Sequence, residues 1–263
     1  MTAWHLTWAS DGRAALFPEE STRLAAVQAL ARVAGSWATL FAIVDDHVHL
    51  ALISDRTVAG RVARNGLVAL RKLTTAPLEP AHIRAVETRA HARWLVTYLL
   101  DQPRKHGLPA HPALWSGSCF PDLTGARAVP GFSLGTKMTE ILPRFRLREA
   151  YAAVGLPPTE LAPVDGDRIR RLGADRLCRA AAAVFAEPFP LHGKRAPTTL
   201  ARATACHLGR RSGIPTSELI HVLAITPQAV LRLAEKDVDP DLLRAVALRL
   251  ALEEIVTGTL TGG

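Results

Sequence analysis

Between positions 38 and 54 the chain reads ATLFAIV-DD-HVHLALIS, two apolar strand-like runs separated only by Asp45-Asp46. Two residues cannot carry a chain across a sheet; they can only fold it back. The two runs therefore predict a tight antiparallel hairpin, and the neighbouring segments must pack around it. The second run also places His47 and His49 two apart, so both imidazoles share one face while Val48 and Leu50 enter the opposite layer. The residues allow two meanings. The pair is either a set of satisfied core histidines or a preformed two-nitrogen bite for a divalent cation.

The flanking sequence narrows the architecture. AWHLTWA (3–9) alternates as a strand, and 18–37 sets Leu24, Val27, Leu30 and Val33 at helical spacing behind acidic residues. Residues 57–73 return to helical spacing, with Gly60 and Gly66 interrupting it. A fourth strand is predicted over 81–87, then a helix over 88–102 stopped by Pro103. This β-α-β-β-α-β-α order predicts an α+β fold, a ferredoxin-like split βαβ with an antiparallel sheet and one extra helix. Many activities share that fold, so it selects no function. Residues 103–163 hold many prolines and glycines with little periodicity, and read as an arm and linker.

From about residue 166 the pattern is helical throughout. Short helices split by SGIP and IT, with Thr226 as a cap and Pro227 at the first helical position, predict a helix-turn-helix. A helical bundle used for dimerisation is the other meaning. Residues 168–236 carry 12 Lys/Arg against 4 Asp/Glu, whereas 237–254 carry 2 against 5, so the positive charge sits where DNA would be touched. Arg210, Arg211, Gln228 and Arg232 lie in or beside this element and are the candidate DNA contacts. A formal net charge of +8 points the same way, to polyanions and to nucleic acid before membrane. Cys119, Cys178 and Cys206 are odd in number and lack metal spacing, which predicts free thiols in a reducing cytoplasm. No run is long enough to span a membrane, and the N-terminus lacks a signal-peptide layout.

Only two tyrosines exist, Tyr98 and Tyr151. Tyr98 shares a predicted helix face with Gln102 at i+4. A phenol beside an amide oxygen suits a nucleophile next to a third metal ligand; it also suits a packed aromatic at a solvated helix end.

WHLTWASDGRAALF, DDHVHLAL, YLLDQPRKHGLPAHP and ALWSGS follow one another in the order and spacing of a known family. Across residues 3 to 120 the chain resembles the REP-associated tyrosine transposases of the single-tyrosine HUH transposase superfamily. Their first strand reads like YHVT, the metal strand like NHVHLL and the tyrosine helix like Y…NP(V)RAGLV…P, followed by WSS. The stretch ARATACHLGRRSGIPTSELIHVLAITPQAVLRLA is similar to the helix-turn-helix of the DnaA DNA-binding domain. The resemblance implies a HUH nuclease domain over 1–120, an arm and linker over 121–163 and an all-helical DNA-binding domain over 164–263. It implies His47 and His49 as ligands of Mg²⁺ or Mn²⁺, with Gln102 as the third ligand and Tyr98 as the nucleophile. Single-stranded or hairpin DNA, such as REP-like palindromes, is then cut and rejoined through a 5′-phosphotyrosine by a nucleoid-associated monomer or homodimer.

The chain departs from the family in carrying Asp45-Asp46 where Pro-Asn is usual, and Gln102 where the REP-associated branch more often has Asn. It also lacks the GxxFxGRFKS-like run before the tyrosine. Those departures leave room for a non-catalytic DNA-binding regulator on the same scaffold. Arg71, Lys72, Arg104 and Lys105 are candidate phosphate contacts, His5 packs or hydrogen-bonds beside the site, His82 and His91 are surface residues, and Trp115 with Ser116 docks the arm. DDHVHL also resembles the zinc strand of an amidohydrolase, which would require a (β/α)₈ barrel.

Overall fold

A computed structural model describes residues 2–158 and 161–261; the expected linker and terminal positions beyond these lie outside the described residues. The chain divides into one unit of residues 1–124 with 129–159 and another of 125–128 with 160–263.

In the first unit, β1 (Thr2–Ala9), α1 (Glu20–Ala34), β2 (Ala38–Ile43), β3 (His47–Ser54), α2 (Arg56–Arg71), β4 (His82–Val86) and α3 (Arg89–Leu100) follow in sequence. The strands form one four-stranded antiparallel sheet in the order β2-β3-β1-β4. Asp45-Asp46 closes the β2–β3 hairpin: the Val44 N–H donates to the His47 carbonyl at 3.1 Å. An amidohydrolase barrel needs eight parallel strands, and the described residues hold four strands with every pairing antiparallel, so that alternative is set aside.

The pleat sorts the side chains. Trp4, Leu6 and Trp8 of β1 lie opposite Leu52, Leu50 and Val48 of β3, all buried on the face covered by α2. Each such side chain contributes about 1.5–3 kcal/mol when fully removed from water. Gly66 on α2 answers to this layer, because a Cβ there would stand 2.6 Å from the Trp8 ring. The Trp8 indole N–H donates to the Ala63 carbonyl, 3.1 Å away, one turn earlier on the same helix. The interruption of helical periodicity at Gly66 is a packing requirement.

The other face of β1 and β3 presents His5, Thr7, His47 and His49, in register as Thr7 opposite His49 and Ala9 opposite His47. Helix α3 lies over this face, capped by Thr88, whose hydroxyl accepts from the His91 N–H. It ends at Leu100, and the short helix α4 (Gln102–Lys105) restarts through Pro103, so Tyr98 and Gln102 stand on consecutive elements. The expected arm and linker over 121–163 is corrected. It contains α5 (Phe120–Leu123), α6 (Leu134–Ile141) and α7 (Leu147–Val154), with α7 packed on α3. Trp115 and Ser116 dock their segment as expected. The Trp115 indole N–H donates to the Ile43 carbonyl at 2.7 Å, and Arg23 reaches the Ser116 hydroxyl while stacking over Trp115.

The second unit is built from α8 (Gly166–Val184), α9 (Ala196–Arg211), α10 (Thr216–Leu223), α11 (Pro227–Ala234) and α12 (Pro240–Thr261) around a core that includes Leu177, Phe185, Leu219, Val230 and Leu250. Helix α8 bends at Gly173, whose φ of 82° only glycine adopts freely. Between α10 and α11 the chain turns in three residues: Ala224 is left-handed, and the Thr226 hydroxyl accepts from the Ala229 N–H at 3.3 Å. None of the described helices is long and apolar enough to cross a membrane.

Candidate metal centre and tyrosine

Strand β3 carries His47 and His49, and their rings lie 4.4 Å apart, nearly perpendicular. Helix α3 brings the Tyr98 ring to 5.5 Å from His49 and 6.5 Å from His5. Gln102 is 2% exposed; its amide N–H donates to the Tyr98 carbonyl at 3.1 Å, which turns Oε1 to 3.3 Å from His47 Nε2. All four residues expected from the sequence to act together are therefore within one cluster.

The proton on His47 follows from its partner. His47 Nδ1 sits 2.5 Å from the Asp46 carboxylate, which can only accept, so Nδ1 carries the proton and Nε2 presents a lone pair. In the neutral ring that lone pair faces the Gln102 carbonyl oxygen, another acceptor, 3.3 Å away. His49 Nδ1 contacts the Thr7 hydroxyl and His5 Nε2, each at 3.1 Å, while His49 Nε2 is buried with no hydrogen-bond partner among the described residues. With His47 neutral, two acceptors face to face and an orphaned buried nitrogen beside them are costly for the protein alone. A cation accepting all three electron pairs resolves each of them.

Electrostatics keep these nitrogens available. Burial, reinforced by His47, His5 and His106, pushes the pKa of His49 from 6.5 down to about 2, against an opposing contribution from Gln102. Burial, with His91, Arg84, His82 and His47 nearby, brings His5 to about 4. For Asp46, burial works to raise the pKa, but the hydrogen bond from His47 and the charges of His47 and His106 hold it below the usual carboxylate value.

A second donor group shares His47. Asp46, His47 and His106 offer ligand atoms all within 4.8 Å of one another and can hold a metal ion. His106 was not singled out from the sequence; it reaches this place from the turn after α4, where its Nδ1 lies 2.7 Å from Asp45. Trp94 was also missed. It lies one turn before Tyr98 with the two rings stacked at 4.6 Å, a pairing legible in retrospect from their i, i+4 spacing.

The expected phosphate contacts separate. Lys105 belongs to the cluster, with Nζ 4.8 Å from the Tyr98 ring centroid and 3.9 Å from Asp101. Arg104 is drawn instead to Asp101 at 2.5 Å and to the Ala153 carbonyl at 3.5 Å. The Arg71 guanidinium donates twice to the Leu78 carbonyl, which ties the loop after α2 in place. Arg71 and Lys72 both sit at the end of the helix under the opposite sheet face, not on the histidine face. Arg210, Arg211, Gln228 and Arg232 in the second unit are exposed and make no side-chain hydrogen bond or ion pair among the described residues. The three cysteines are buried and form no disulfide. Compared with known proteins, the chain matches no family model, no curated protein and no solved structure.

Proposed function

We propose that the protein is a metal-dependent single-strand DNA nuclease and ligase of the HUH transposase type, working through a 5′-phosphotyrosine at Tyr98. The observation that carries this reading is the meeting of Tyr98 with His49, His47 and Gln102, in which the Gln102 oxygen lies 3.3 Å from His47 Nε2 and the buried His49 Nε2 has no hydrogen-bond partner among the described residues. The β-α-β-β-α-β order with strands arranged β2-β3-β1-β4 supports the ferredoxin-like split βαβ as the scaffold. In the second unit, the α10–turn–α11 pair with its Thr226 cap supports a helix-turn-helix, presenting Gln228 and Arg232 to DNA with Arg210 and Arg211 nearby.

His47 Nε2, His49 Nε2 and Gln102 Oε1 would hold Mg²⁺ or Mn²⁺. When bound, that ion supplies Lewis-acid polarisation of a phosphoryl oxygen. Asp46 orients His47, while Thr7 and His5 orient His49. The Tyr98 oxygen forms a bond to phosphorus as the bond from phosphorus to the 3′ oxygen breaks. The phenolic proton leaves to solvent, and the departing 3′ oxygen takes one up as a hydroxyl. Lys105 holds a positive charge beside the ring, where negative charge gathers on phosphate and phenol. Because the phosphoester energy is kept in the tyrosine linkage, attack by a 3′-hydroxyl reverses the step and rejoins the strand.

The test is incubation with hairpin-flanked single-stranded DNA and Mn²⁺ or Mg²⁺, followed by denaturing electrophoresis. The wild type yields a covalent protein–DNA adduct; Tyr98→Phe yields none. DNA binding without any adduct from the wild type would instead assign the protein to the regulator class.

A further inference from the structure

Trp94 is 54% exposed, although it is one of the largest apolar side chains in the chain. Tryptophan is normally well covered, so an indole left this open wants a reason. One side of it is stacked on Tyr98 with the rings inclined by only 16°. Next to it on α3, Arg89 and Arg93 line a cleft of about 600 Å³ together with Ala90, Leu142, Pro143 and Arg144. Three guanidiniums converge there. The only carboxylate in ion-pair range among the described residues is Glu149, a loose 3.9 Å from Arg93. Arg89 and Arg144 are exposed, with no ion pair or side-chain hydrogen bond among the described residues. At 1.5 Å of rise and 3.6 residues per turn, Arg93 lies about 8 Å and Arg89 about 14 Å along the helix from Tyr98 and round its far side, with Ala90, one turn before Trp94, joining the cleft to the indole. That span is on the order of a few nucleotides of single strand.

We infer that Trp94 and the Arg89–Arg93–Arg144 cleft form a single-stranded DNA subsite leading to Tyr98. The indole stacks on an unpaired base flanking the scissile phosphate, and the guanidiniums hold the adjoining backbone phosphates. An aromatic platform beside a basic groove is the arrangement that binds single strands with little regard to sequence, since every base offers a π-face and every nucleotide a phosphate. A duplex cannot use the platform without unstacking a base. The inference rests on Tyr98 being the nucleophile, and Trp94 is a positioning residue for the substrate.

The test uses the full-length chain carrying Tyr98→Phe, so that covalent capture does not distort affinity, with fluorescein-labelled single-stranded oligonucleotides read by anisotropy. Adding Trp94→Ala is expected to weaken binding about tenfold, while Trp94→Phe, which keeps a ring, stays within a few-fold. Scanning an abasic site through the oligonucleotide should reveal one position where base removal weakens the Trp94 protein but not the Trp94→Ala protein. Arg89→Glu with Arg144→Glu should flatten the dependence of affinity on salt, lowering the slope by about 0.7 for each phosphate no longer neutralised. Trp94, Arg89 and Arg144 are exposed, and circular dichroism checks that the fold survives. In the otherwise wild-type chain, adduct formation with unchanged affinity in Trp94→Ala would overturn the subsite and leave the nuclease reading standing. Tight Trp94-dependent binding without any adduct would keep Trp94 and the cleft as a single-strand binding surface but overturn their role in leading DNA to a nucleophilic Tyr98. An unchanged salt slope in the double arginine variant would remove the cleft from the DNA path.

Discussion

Acidifying the metal-free protein from pH 7 to pH 5 should cost the first unit about 4 kcal/mol of stability, and the cause is two histidines. In the unfolded chain His5 and His49 take up protons near pH 6.5. In the folded unit burial depresses them to about 4 and about 2, so they remain neutral. Below pH 6.5 the unfolded state therefore binds more protons, and stability falls as pH falls. Each group contributes about 1.4 kcal/mol per pH unit. Over the interval from 6.5 to 5 that is roughly 2 kcal/mol each. The loss continues until His5 itself titrates near 4, and beyond that for His49 alone. Against a typical total of about 5–15 kcal/mol the effect is large. All five tryptophans, Trp4, Trp8, Trp37, Trp94 and Trp115, lie in the first unit, so their fluorescence during urea unfolding in EDTA reports that unit by itself. The midpoint should drop steeply between pH 6.5 and 5 in the wild type and far less in a His5→Gln, His49→Gln protein. A wild-type midpoint that holds steady across this interval, or a double variant as acid-sensitive as the parent, would refute the reasoning.

Gly66→Ala should destabilise the first unit by about 1–3 kcal/mol, seen as a lower urea midpoint, because the added methyl would meet the Trp8 ring at 2.6 Å. Alanine at Gly60, where nothing lies within 4 Å, is the control and should be neutral or stabilising. Cys178 and Cys206, pushed up to about 12 chiefly by burial, should resist a neutral thiol reagent at pH 8 in the folded protein and react at once in urea. Rapid labelling of either without denaturant would contradict the packing of the second unit.

How far the sequence showed the site depends on how local each relation is. The hairpin was legible because two residues between two apolar runs permit one connection, and the shared face of His47 and His49 follows from the period of a strand. The role of Gly66 was not legible. Its partner Trp8 lies on a strand 58 positions earlier, and along α2 the glycine registers only as a break in the pattern. Helices α5 to α7 do not show in the sequence because runs of four to eight residues hold too few turns to display a period. His106 is hidden in the sequence for a related reason. It is brought beside Asp45 and His47 by the turn after α4, and no spacing rule links a residue in that turn to a hairpin sixty positions away.

The two donor groups that share His47 make opposite demands, and one substitution separates them. If Asp46 orients the ring by accepting from Nδ1, as the 2.5 Å contact requires, then Nε2 is the coordinating atom and His49 and Gln102 are its companions. If Asp46, His47 and His106 were the ligands, Nδ1 would have to coordinate, and the His106 ring 4.8 Å away would be needed. The orphaned Nε2 of His49 favours the first arrangement, since the second leaves that buried nitrogen without a partner. Asp46→Asn should then weaken Mn²⁺ binding about 10- to 100-fold through loss of orientation, while His106→Asn leaves affinity close to wild type and Gln102→Leu removes a ligand outright. Isothermal calorimetry or the Mn²⁺ paramagnetic resonance signal measures all three. If His106→Asn abolished binding while Gln102→Leu left it intact, the ion would belong on the outer side of His47, turned away from Gln102, and Tyr98 would lose its claim to the reacting phosphate.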